Sequence, residues 1–177
     1  SNKLIVKMES GTFSSTEPQI YVDGDLDIGD VLDLDLVGAF EPSIGDEFDI
    51  FEYTGSLTGV FDAVEFPSVD GITFGIEYNS GVITLDVVLE GDLNDDGFVG
   101  QTDLNIVLGN FNDNVDAGVL LQGDLSGDGF VGSADLNTVL GNWNAGTPPV
   151  ASAAIPEPAS LALFGLSGLV VLRRRKV

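Results

Sequence analysis

The 177-residue sequence has no cysteine, no histidine, and only six basic residues against 29 acidic ones. Each absence excludes a class of chemistry. Without Cys there are no disulfides, thiolate nucleophiles, zinc ribbons or iron–sulfur clusters. Without His there is no Ser-His-Asp triad, no haem axial His and no HExxH zinc site. What remains is carboxylate chemistry: binding of hard cations, or acid/base pairs of the glycosidase kind. The length suits one or two small domains, and the 44% hydrophobic content provides for a modest core.

Positive charge is also missing from most of the chain. Arg173, Arg174, Arg175 and Lys176 form one terminal run, so residues 1–158 carry Lys3 and Lys7 against all 29 acids, a net charge of −27. Such a surface repels phosphate backbones and anionic lipid, which argues against a nucleic-acid partner; divalent cations would stabilise it. The chain opens on Ser1 with no charged-then-apolar signal peptide and reads as a fragment, or a processed chain, of something longer.

Residues 1–90 have the period-two pattern of β structure. Leu32, Leu34 and Leu36 alternate with Asp33 and Asp35; Phe74, Ile76 and Tyr78 alternate with Gly75 and Glu77; Ile83, Leu85, Val87 and Leu89 continue the pattern. Turn signals separate the runs, and Asn79-Ser80-Gly81 predicts a hairpin. One face of each strand is apolar and the other acidic, so a sheet covered on one side is expected. Both a sandwich and the last coils of a β-solenoid fit. Leu26 to Phe61, with its repeated Gly-Asp and the run Ile44-Gly45-Asp46-Glu47-Phe48-Asp49, resembles the end of bacterial β-helical passenger-type surface proteins.

At Gly91 a repeat begins. Residues 91–112 and 123–144 align without gaps at an offset of 32, with 16 identities in 22 positions. Each copy has the spacing that wraps a chain around calcium: oxygen side chains at loop positions 1, 3 and 5, Gly at 6, a backbone carbonyl at 7 and a carboxylate at 12. In the first copy these are Asp92, Asn94, Asp96, Gly97, the Phe98 carbonyl and Asp103; in the second, Asp124, Ser126, Asp128, Gly129, the Phe130 carbonyl and Asp135. Alternate side chains must converge on one ion ~2.3–2.6 Å away, and Gly permits the sharp turn that brings them together. Position 9 is Gly100 or Gly132, so water would take that place. Three carboxylates per loop repel one another until a cation joins them, so two calcium ions and coupling of binding to folding are expected. Ser126, in place of Asp or Asn, predicts weaker binding at the second loop. Magnesium's tight octahedral demand fits so many oxygens less well.

A helix should follow each loop. Leu104, Val107, Leu108 and Phe111 form a helical stripe that Leu136, Val139, Leu140 and Trp143 repeat. Phe111 and Trp143 are expected in the core. No entering helix precedes either loop, so the unit is loop-then-helix. These tandem repeats, residues 91–144, resemble a type I dockerin. The resemblance implies two calcium ions, a small α fold with pseudo-twofold symmetry, and docking onto a cohesin-like partner in polysaccharide-degrading or surface assemblies. Partner-binding positions in that family are often a Ser/Thr pair with basic residues along the helix. Here they are Gln101-Thr102 and Ser133-Ala134, with no base on either helix, which argues against a standard cohesin partner.

Residues 145–155 read as a linker. Pro156-Glu157-Pro158, the fourteen uncharged residues Ala159 to Leu172 and the terminal basic run follow. Fourteen helical residues span about 21 Å, short of the ~30 Å hydrocarbon core, but snorkelling arginines and the apolar residues 150–155 extend the reach. The basic run would stay cytoplasmic and everything before it would face outward. Residues 156–177 closely resemble the PEP-CTERM sorting signal. That resemblance implies an exosortase partner, transient anchoring in the cytoplasmic membrane, cleavage near Pro156–Pro158, and delivery to the cell surface or extracellular polysaccharide.

The expected fold is therefore a mainly β N-terminal domain (1–90) and a small α, dockerin-like calcium domain (91–144), followed by linker and C-terminal hydrophobic helix. The expected role is a non-catalytic calcium-binding surface or matrix protein. The alternative is the C-terminal part of a polysaccharide-degrading or carbohydrate-binding protein whose active domain lies upstream. Within this chain a glycosidase pair would have to come from Glu41, Glu47, Glu52, Glu65, Glu77 or strand aspartates, at exposed positions. The aromatics a sugar platform would need, Phe48, Phe51, Tyr53, Phe74 and Tyr78, read as core.

Overall fold

Alternating apolar residues turn the first half of the chain into short strands. The structure, a computed structural model, describes residues 3–9 and 18–149. The strands are β1 (Lys3–Glu9), β2 (Ile20–Val22), β3 (Leu26–Asp27), β4 (Val31–Val37), β5 (Glu47–Tyr53), β6 (Leu57–Thr58), β7 (Ala63–Glu65), β8 (Ile72–Asn79) and β9 (Val82–Leu89). Four pairings are parallel, and each joins a strand to the one three places on. Lys3 lies opposite Val31, Ile20 opposite Phe51, Leu26 opposite Leu57 and Val31 opposite Ala63, steps of 28, 31, 31 and 32 residues. An antiparallel sandwich contains no such ladders. The chain passes through three separate sheets before returning beside itself, which supplies the long connection that parallel pairing needs.

The sheet orders are β1-β4-β7, β2-β5-β9-β8 and β3-β6, so β7 and β8 are both edge strands. Inward side chains from the different sheets meet in one core, with Met8, Leu32, Ile50, Phe74 and Leu85 fully enclosed. Each such side chain contributes about 1.5–3 kcal/mol by leaving water. On the outer face Lys3 joins Asp33 at 3.1 Å and Glu65 at 2.7 Å, tying three parallel strands with an exposed and therefore weak ion pair. The hairpin forms where the turn signal stands: Asn79 pairs with Val82 across Ser80-Gly81.

The expectation of a sheet covered on one side fails at β9. Ile83, Leu85 and Val87 are buried on one face, and Thr84 and Val88 are buried on the other. The cause is the downstream unit, which packs on that second face. Val88 joins Leu93, Val99, Leu120 and Leu125 in a second core, and a β-carbon on Gly75 would meet Leu120 Cδ1 at 2.6 Å.

That unit consists of two loops, helices α1 (Gln101–Gly109) and α2 (Ser133–Gly141), and a 3₁₀ turn at Leu120–Gln122. Val107 and Val139, at equivalent positions, are fully buried where the helices meet. The helical stripe otherwise departs from expectation. Leu108, Leu140, Phe111 and Trp143 are exposed, at 51%, 50%, 44% and 38%. Each helix ends on a glycine, Gly109 or Gly141, so Phe111 and Trp143 lie beyond the caps Asn110 and Asn142 and leave the helical face. The segment read as a linker also begins later than expected, because Ala145 and Thr147 are bonded to the first loop. Among the described residues no helix is long and apolar enough to cross a membrane. Residues 150–155 of the linker, Pro156, Glu157, Pro158, Ala159 to Leu172, and Arg173, Arg174 and Arg175 lie outside the described residues.

Candidate metal centre

The two loops share one hydrogen-bond plan. The position-1 carboxylate turns the chain: Asp92 accepts the N–H groups of Asp96 (3.3 Å) and Gly97 (2.8 Å), and Asp124 accepts those of Asp128 (3.3 Å) and Gly129 (2.8 Å). Position 5 accepts from position 7, Phe98 to Asp96 at 3.0 Å and Phe130 to Asp128 at 2.9 Å. Position 12 clamps both ends of its loop. Asp103 accepts from Leu93 (2.9 Å) and Gly100 (2.7 Å), and Asp135 from Leu125 (2.9 Å) and Gly132 (2.8 Å). Gly100 and Gly132 are the helix N-caps, so each position-12 acid also lies in the first helical turn, where a negative charge is favoured. Gly97 and Gly129 turn with φ of 80° and 75°, as position 6 requires.

The loops are joined by a reciprocal clasp. Val99 and Gly97 of the first loop pair with the chain that follows α2: Val99 N–H to Ala145, Asn144 N–H to Val99 and Thr147 N–H to Gly97. Val131 and Gly129 of the second pair with the chain that follows α1: Asn112 N–H to Val131, Val131 N–H to Asp113 and Val115 N–H to Gly129. Asn112 and Asn144 enter the clasp in the left-handed region, at φ 72° and 66°, which Asn tolerates better than most residues.

The donor set suits a hard cation. Asp92, Asp103, Asp124 and Asp135 are essentially inaccessible, while Asn94, Asp96, Ser126 and Asp128 stand closer to solvent. The cationic side chains among the described residues, Lys3 and Lys7, both lie on β1, away from either loop. Burial pushes the Asp92 and Asp124 carboxyls up from the ordinary range, against the lowering effect of the N–H groups that Gly97 and Gly118 direct at them. Asn94 Oδ1, at position 3, is buried with no hydrogen-bond partner, although its Nδ2 donates to Asp96 at 3.0 Å. An unsatisfied buried oxygen is costly unless something supplies the missing interaction. As the side chains stand, no three acidic groups among the described residues are gathered to hold an ion.

A second acidic feature adjoins the first loop. Glu47, Glu77, Asp86, Asn94 and Asp95 line a cleft of about 300 Å³ between the sheet and the loop–helix unit. Asp86 is pushed up to about 7, first by burial and then by the charges of Glu77, Glu47 and Asp95. Sequence reading did not single it out, because its neighbours come from three different segments. Of the candidate glycosidase acids, Glu41, Glu47, Glu52, Glu65 and Glu77 are all exposed. Phe48, Phe51, Tyr53 and Phe74 are buried and Tyr78 is half-buried.

Comparison with known families matches residues 154–176 to the PEP-CTERM protein-sorting motif. The chain carries a PEP-CTERM sorting signal. Such a signal marks an exported protein, anchored in the membrane at the cell surface until an exosortase processes it. The match does not extend to the tandem repeat. No curated protein and no solved structure matches the chain.

Proposed function

We propose that this exosortase substrate is a non-catalytic surface or matrix protein whose tandem loops each bind one calcium ion. One observation carries the reading: the buried, unpartnered Asn94 Oδ1 occupies the loop position where a calcium ligand belongs. In the first loop Asp92, Asn94, Asp96, the Phe98 carbonyl and Asp103 would hold the ion; in the second, Asp124, Ser126, Asp128, the Phe130 carbonyl and Asp135. The ion would supply the positive charge that either acidic loop lacks, so binding stabilises the fold.

The dockerin-like part of the reading is a role in attachment. It is supported by the twofold placement of exposed apolar side chains, Leu108 and Leu140 on the helices and Phe111 and Trp143 just past their caps. Their partner would be a cohesin-like protein or an extracellular polysaccharide. The parallel ladders, with their steps of 28 to 32 residues, support reading the β domain as the end of a solenoid.

Thermal melting tests the calcium reading. EDTA should lower the melting temperature of the full chain, and the double variant Asp92→Ala, Asp124→Ala should melt low whether or not calcium is present. A double variant that melts like wild type in calcium would refute it. Sugar release from polysaccharides by the purified chain would overturn the non-catalytic reading.

A further inference from the structure

The two loops are near-copies, and both pack on the β domain, but the second bonds to the edge strands of two sheets. Each oxygen of the Asp124 carboxylate holds a glycine, and each glycine caps a different sheet. Oδ2 accepts the Gly118 N–H at 2.9 Å, and the Gly118 carbonyl accepts the N–H of Ile76 on edge strand β8 at 2.9 Å. Oδ1 accepts the Gly127 N–H at 2.8 Å, and the Gly127 carbonyl accepts the N–H of Val64 on edge strand β7 at 2.7 Å. Both contacts require glycine. A β-carbon on Gly127 would collide with the Val64 carbonyl, and one on Gly118 would come within 2.9 Å of the Phe66 ring. Where the second loop has Gly127 the first has Asp95, an exposed residue that lies across the cleft from Asp86, and the Asp92 carboxylate accepts from Asp96 and Gly97 of its own loop.

We propose that the second loop is a divalent-cation-operated latch: filling it locks Asp124, and through Gly118 and Gly127 seals the open edges of two β-sheets. The inference rests on the calcium reading above and adds that the two sites do different work. Without the ion, repulsion among Asp124, Asp128 and Asp135 loosens the loop, and both edge hydrogen bonds loosen with it. Edge strands left open are templates for unwanted pairing, so a calcium-dependent seal ties the β domain's solubility to the cation-rich exterior. The first loop, whose Asn94 and Asp95 lie across the acidic cleft from β8 and β9, carries no such duty.

The test is amide hydrogen exchange on the full chain, with calcium and with EDTA, beside calorimetry of calcium binding. Calcium should slow exchange at Val64 and Ile76 by about tenfold or more relative to Leu85 in β9, which reports global opening. Asp128→Ala, an exposed change that touches neither sheet, should abolish that slowing; its counterpart Asp96→Ala should keep it. Gly127→Ala should still bind calcium while losing the slowing at Val64. Calcium binding with unchanged exchange at Val64 and Ile76, or equal effects of Asp96→Ala and Asp128→Ala, would overturn the latch and leave the calcium reading intact. Failure to bind calcium at all would overturn both.

Discussion

The Val64 N–H donates to the Gly127 carbonyl at 2.7 Å, while the Val64 carbonyl fills the space that a β-carbon on residue 127 would need. The two residues, 63 positions apart, join a β edge to a turn of the second loop with no side chain between them. Gly127→Ala should therefore destabilise the chain by roughly 1–3 kcal/mol, from the collision and from its φ of 75°. Asp95→Gly, the reverse change at the equivalent point of the first loop, should be neutral or slightly stabilising, since Asp95 is exposed with φ of 52°. Denaturant titration of both variants distinguishes the two sites; equal losses would contradict the asymmetry.

The acidic cleft predicts a pH dependence of a particular sign. Asp86 faces Glu47 on β5, Glu77 on β8 and Asp95 on the loop, and its carboxyl is pushed up to about 7. The folded chain thus holds this proton more tightly than the unfolded chain does. The resulting stability is fully present below about pH 4 and is lost as pH rises through about 7. Asp86→Asn, which cannot ionise, should melt several degrees above wild type at pH 8, with the gap closing towards pH 4. A gap independent of pH would show that ionisation at this site is irrelevant.

Core and exposed positions of the same helical stripe should respond differently. Val107→Ala or Val139→Ala removes methyl groups from a fully buried contact and should cost roughly 2 kcal/mol. Leu108→Ser with Leu140→Ser should change stability by no more than about 0.5 kcal/mol per site, because both side chains are half exposed. The same pair should weaken any attachment that the helices mediate. Large destabilisation by the serine pair would place these residues in a core after all.

Strand pattern and loop spacing were legible because each is local. Leu32 to Leu36, Phe74 to Tyr78 and Ile83 to Leu89 form strands where period-two alternation stands, and Ser80-Gly81 turns the hairpin. The residues proposed as ligands could be aligned because the repeat preserves every spacing. What could not be read was long-range. The second covering of β9 comes from Leu120, more than thirty positions away, and short strands such as β2 and β7 have too few residues to show a period. Phe111 and Trp143 misled because a helical stripe was extended past the point where the helix ends. One signal did lie in the sequence: the repeats differ at Asp95 and Gly127, and that difference marks which loop bonds to the edge strands.

Processing leaves a mass signature. Protein recovered from the cell surface should lack Arg173–Lys176, with cleavage near Pro156–Pro158, and intact mass spectrometry measures this directly. Replacing Pro156, Glu157 and Pro158 with alanine should leave the chain full length and membrane-bound. Surface protein that keeps its basic end would contradict exosortase processing.

Isothermal titration calorimetry of the EDTA-stripped chain with calcium addresses the central claim most directly. Two ions per chain should bind, the weaker at the Ser126-containing loop, and Asp92→Ala or Asp124→Ala should each remove one. A titration showing no binding, or binding untouched by either substitution, would contradict the assignment of these loops to calcium.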